Sequence, residues 1–117
     1  EKIITYNGKI IKTEGLIHNI EILNHLQFKY FSSSNNYSGT YNTLLKNPKA
    51  FIEQKFNISL IEDGDTLLFK EKISIDPLDS EFSNFYWLDR KTGQPILSKQ
   101  NIHPSLSTIR LDYIYKY

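Results

Sequence analysis

A chain of 117 residues, 39% apolar and 23% charged, has the balance of a folded globular domain and excludes wholesale disorder. Fourteen Lys and Arg against thirteen Asp and Glu leave a formal net charge of +1, without the basic surplus that holding nucleic acid or anionic lipid requires. Cysteine is absent, so a disulfide scaffold, a thiolate zinc site and a Cys nucleophile are excluded, and no run approaches the ~20 apolar residues of a membrane-spanning helix.

At this length one core suffices, and a single domain over residues 1–117 is expected. The chain opens on Glu1 rather than Met, which points to a removed N-terminal segment such as a signal peptide, an anchoring helix or an upstream domain. Freedom from thiols suits reducing and oxidising surroundings alike, so the compartment stays open.

In chain order, Asn7-Gly8 between Ile3-Ile4-Thr5-Tyr6 and Lys9-Ile10-Ile11 is a strong hairpin signal and predicts strands at 2–6 and 9–13. From Glu14 the period changes. Leu16, Ile17, Ile20, Leu23, Gln27, Phe28 and Phe31 fall three and four apart, which predicts a helix over roughly 14–31. Ser32 to Thr40 is rich in turn-forming residues and reads as a surface loop. A second helix is expected to follow, with Asn47 as cap, Pro48 at its first position, and Phe51, Ile52 and Phe56 facing the core.

The second half reads as strands. Ile58 to Ile61 and Thr66 to Ile75 flank Glu62-Asp63-Gly64-Asp65, an Asp-Gly turn. After a break at Asp76 to Ser80, the aromatic run Phe85-Tyr86-Trp87-Leu88 reaches a Lys91-Thr92-Gly93 turn and returns through Ile96 and Leu97 as a hairpin. Alternation puts Phe85 and Trp87 on one face and Tyr86 and Leu88 on the other. A loop containing His103 and Pro104 precedes a final strand over 107–117, where Tyr113, Tyr115 and Tyr117 share a face with Ile109 and Leu111. The predicted order is ββααββββ(β), an α+β fold in which an antiparallel sheet of about five or six strands carries two helices on one face.

Glu71 is the chemical anomaly, a carboxylate in the otherwise apolar series Leu67, Phe69, Ile73, Ile75. Buried without a partner, it would have a raised pKa suited to acid or base work; paired with Arg110 or a lysine on a neighbouring strand, it would be structural. Glu71, His103 and Arg110 would together supply base, acid and cation for metal-independent RNA cleavage, as in small toxin ribonucleases built on antiparallel sheets. His18 and His25, seven residues apart, lie too far apart on a helix to share a metal. No metal site or cofactor is expected.

The paired acids at Asp63, Asp65, Asp76 and Asp79 do not match a calcium loop. The segment His25 to Phe31, followed by Ser32 to Tyr37 and Ser38-Gly39-Thr40-Tyr41, resembles the soluble part of type IV pilins and pseudopilins. That resemblance implies a structural subunit with a long helix running into a Tyr/Gly loop and a sheet. The residues themselves favour a non-enzymatic domain that docks a protein partner through Tyr86, Trp87, Arg90, Tyr113 and Tyr115, with an immunity-type inhibitor as one concrete form.

Overall fold

The computed structural model describes residues 1–30, 36–46, 49–76, 79–103 and 106–114; the expected roles of Phe31, Asn47, Pro48, Pro104, Tyr115 and Tyr117 fall outside these. Asn7 and Gly8 take left-handed backbone, φ 50° and 88°, as a tight hairpin turn requires. Strand β1 (Lys2–Tyr6) therefore folds back on β2 (Lys9–Glu14) as expected.

The predicted first helix does not form. Gly15, at φ 80°, ends β2, and the chain continues through a loop to β3 (Ile20–Ile22) and a single 3-10 turn (His25–Gln27). The side chain of Asn19 shapes that loop by donating to the Leu16 carbonyl at 2.9 Å and accepting from its N–H at 3.1 Å. Such local side-chain bonding competes with helix. The supposed helical stripe is split between environments. Ile20 and Phe28 are buried, whereas Ile17 and Leu23 are 74% and 50% exposed.

The second predicted helix is also strand. β4 (Tyr37–Lys46) and β5 (Lys49–Asp63) pair along their shared length, from Tyr37 opposite Ile58 to Lys46 opposite Lys49. Gln54, Phe56 and Ile58 point inward with a period of two, while Phe51, expected on the same face as Phe56, is 69% exposed. The meander continues with β6 (Thr66–Ile75), β7 (Ser80–Asp89), β8 (Pro95–Gln100) and β9 (Ile109–Asp112), the last shorter than its alternation suggested.

The nine strands form one antiparallel sheet in chain order, curled into a half-barrel, and no α-helix exists among the described residues. This is an all-β architecture, not the expected α+β layering. Local turns make a meander easy to specify, because each strand meets its predecessor. Curling lets one sheet cover its own apolar face, so the inner face holds Phe28, Tyr41, Phe56, Phe69, Ile73 and Tyr86 without a helical layer. A second cluster, Ile10, Ile20 and Ile102, packs where the two ends of the sheet approach.

Candidate functional site

Glu71 sits at the centre of β6 and points inward between Phe69 and Ile73, with no exposed surface. Its Oε1 accepts from Lys9 Nζ at 2.8 Å, Tyr86 OH at 2.7 Å and Asn84 Nδ2 at 3.0 Å, and its Oε2 accepts from the Tyr41 hydroxyl. Lys9 is itself 4% exposed and lies 4.8 Å from the centre of the Tyr41 ring. Burial alone would push the Glu71 carboxyl up, but the Lys9 ammonium and the bonds from Asn84, Lys9 and Tyr41 outweigh it and hold the carboxyl below its ordinary value. Burial first, and then the Glu71 charge, push both tyrosines far above theirs, so both remain proton donors.

The network continues to the seam. Gln100 on β8 donates to the Gly8 carbonyl at 2.7 Å and accepts from the Ile10 N–H at 2.8 Å, latching β8 to β2 across the curl. No buried side-chain nitrogen or oxygen among the described residues lacks a partner. Glu71 is therefore an ionised, saturated acceptor, not a carboxyl of raised pKa. Its partner is a lysine, as one reading required, but Lys9 reaches it across the half-barrel rather than from a neighbouring strand.

The outer face differs in character. Register places Lys70, Phe85, Lys99 and Arg110 in one cross-strand row over β6 to β9, and Leu68, Trp87, Leu97 and Asp112 in the next. Phe85 and Trp87 are half-buried with ring centres 6.3 Å apart, and Lys99 Nζ lies 5.8 Å from the Trp87 ring. Toward β4 the same face opens into a shallow groove of about 490 Å³ lined by Ser38, Thr40, Lys55, Asn57, Lys72 and Ser74.

The family model described as "Group 4 capsule polysaccharide lipoprotein gfcB, YjbF" matches residues 1–114. The chain belongs to this family. Comparisons with curated proteins and with solved structures give no match. Membership lends no support to the immunity, ribonuclease or pilin readings, and the helix that carried the pilin resemblance is absent. Among the described residues, no helix is long and apolar enough to cross a membrane.

In this family member the ribonuclease trio is not assembled. Glu71 is interior; His103 lies in the loop after β8, stacked on His18 with ring centres 3.9 Å apart; Arg110 is exposed on the outer face beside Asp112. Burial and then the neighbouring His18 hold His103 below the ordinary histidine range. Of the expected docking residues, Tyr86 is wholly interior and unavailable to a partner, whereas Trp87 faces outward. Arg90 is exposed at the hairpin tip, paired with Asp63 and donating to the Gly64 carbonyl at 2.6 Å. Tyr113 is half-buried at the seam, its hydroxyl donating to the Gly8 carbonyl and lying 3.0 Å from Ser98 Oγ; Tyr115 lies outside the described residues. Sequence reasoning missed Lys9, Gln100, Lys70 and Lys99. Only the rule that a buried carboxylate needs a cation pointed toward Lys9, and it does not choose among the chain's lysines.

Proposed function

We propose that this domain is a non-enzymatic binding module of a capsule polysaccharide lipoprotein, working in the cell envelope and holding its partner against the outer face of β6 to β8. The carrying observation is the division of labour between the two faces. The inner polar groups are engaged with one another and sealed, while Phe85 and Trp87, the large aromatic side chains of β7's outer face, reach solvent beside Lys70 and Lys99. Aromatic side chains ringed by polar groups on an otherwise solvated sheet face are the usual composition of a recognition surface. The family description supports the envelope setting.

The reading is tested in producing cells with a photoreactive residue. Leu97→p-benzoylphenylalanine, beside Trp87, is expected to give a covalent adduct on illumination, whereas the same residue at Glu53, away from the aromatic rows, is not. Absence of any adduct at position 97 in a folded variant would refute the docking face.

A further inference from the structure

We infer that the occupant of this face is an acidic polysaccharide chain, stacked on Trp87 and Phe85 with its carboxylates at Lys70 and Lys99. The inference rests on the docking-face reading above and names what is docked. The charges of the face provide the first argument. Lys55 pairs with Asp76 at 2.7 Å, Lys72 with Glu81 at 3.3 Å and Arg110 with Asp112 at 3.2 Å. Lys70 and Lys99 have no carboxylate within ion-pair distance among the described residues, and they are the two cross-strand neighbours of Phe85. Two ammonium groups without a carboxylate partner among the described residues, astride Phe85 and with Lys99 also over the Trp87 ring, complement an anion carried on an amphipathic ring.

The second argument is shape and surroundings. A pyranose offers an apolar C–H face to an aromatic side chain and a rim of hydroxyls and, in a uronate, a carboxylate. The aromatic island is only two rings wide, and a protein partner would have to strip water from the lysines beside it, which is costly without exact pairing. A sugar chain leaves their outer sides wet. Beyond the island the surface supplies hydroxyl and amide groups in step with the strands: Ser83 opposite Lys72, Lys72 opposite Asn57, and Asn57 bonded to Ser38 Oγ at 2.7 Å. With strands roughly 4.8 Å apart, the track from β7 to β4 runs about 14 Å, enough for consecutive sugar rings to follow the aromatic contact into the groove.

Trp87 is the only tryptophan, so its fluorescence reports on the site directly. The purified chain is titrated with oligomers of polygalacturonate, alginate and hyaluronan, with dextran as the neutral control and polyglutamate as the non-sugar polyanion. The expected result is saturable quenching by at least one uronate polymer, weakened by 0.5 M salt and by about tenfold for each of Lys70→Ala and Lys99→Ala. Trp87→Leu, followed by calorimetry, should lose binding with unfolding unchanged. The inference is overturned if no uronate polymer binds, if dextran binds as tightly, or if polyglutamate does. A protein adduct at position 97 together with no glycan binding would leave the docking face standing and remove this occupant.

Discussion

Lys9→Met isolates the central ion pair. The substitution keeps most of the side-chain volume but removes the ammonium 2.8 Å from a carboxylate that has no exposed surface. Tyr41, Tyr86 and Asn84 still donate to Glu71, so the charge is not left bare, yet breaking a buried pair in this way costs about 3–5 kcal/mol. Against a total stability of roughly 5–15 kcal/mol, that is a large share. At about 4 °C per kcal/mol for this chain length, the midpoint should fall by roughly 12–20 °C at pH 7. Urea unfolding followed by far-UV circular dichroism measures the same loss isothermally.

The pH dependence carries a sign. In the native protein Glu71 is held below its ordinary value near 4.5, so its contribution is present above that value and lost as pH falls through the lower folded value. Removing Lys9 lets burial raise the carboxyl, and the deficit of the variant should therefore grow from pH 3.5 to pH 7. In Lys9→Met/Glu71→Gln no charge is buried and the amide oxygen still accepts from a tyrosine, so the double variant should be more stable than the sum of the singles by about 1–3 kcal/mol. A Lys9→Met cost under about 1 kcal/mol, a deficit independent of pH, or strict additivity would refute the account of the network.

Three further outcomes follow from other contacts. Gln100→Leu should strip the Ile10 amide of its acceptor at the seam, costing about 2–4 kcal/mol and accelerating hydrogen exchange at Ile10 selectively; unchanged exchange there would contradict the latch. Gly39→Ala should cost about 1–3 kcal/mol in thermal unfolding, because its new carbon would lie 2.6 Å from the ring of Phe56, which is itself stacked on Tyr41 at 4.1 Å; a neutral result would mean that the ring retreats freely. By NMR titration, His103 should ionise below the ordinary histidine range, and His18→Ala should raise its midpoint; an unmoved midpoint would exclude the stacked ring as a cause.

Hairpins were legible where the turn residues were explicit. Asn7-Gly8, Asp63-Gly64 and the Gly93 turn each locate a chain reversal that the structure contains. Alternation in β7 also separated Tyr86 and Leu88, now interior, from Phe85 and Trp87, now outward. The two helices failed on different signals. In 14–31 the residues spaced three and four apart include exposed Ile17 and Leu23 beside buried Ile20 and Phe28, and a short window does not reveal which are buried; the second helix rested on the Asn47-Pro48 start signal, and there Phe51 is exposed while Phe56 is buried. Asn19 and Asn24 then tied the first segment to neighbouring backbone instead of to its own helix.

The candidate site divides along the same line. The sequence by itself determined that β7 would carry aromatic side chains on opposite faces and that Glu71 would need a partner, because strand periodicity and the cost of burying a charge are local or pairwise facts. It could not say that Lys9, 62 positions away, is that partner, or that Lys70 and Lys99 flank Phe85 on adjoining strands. Those juxtapositions depend on strand order, register and curl, which arise when nine strands close over one shared apolar face. Tertiary structure alone decided between the two readings of Glu71, making it a saturated interior acceptor, and set Phe85 and Trp87 beside Lys70 and Lys99 on the outer face.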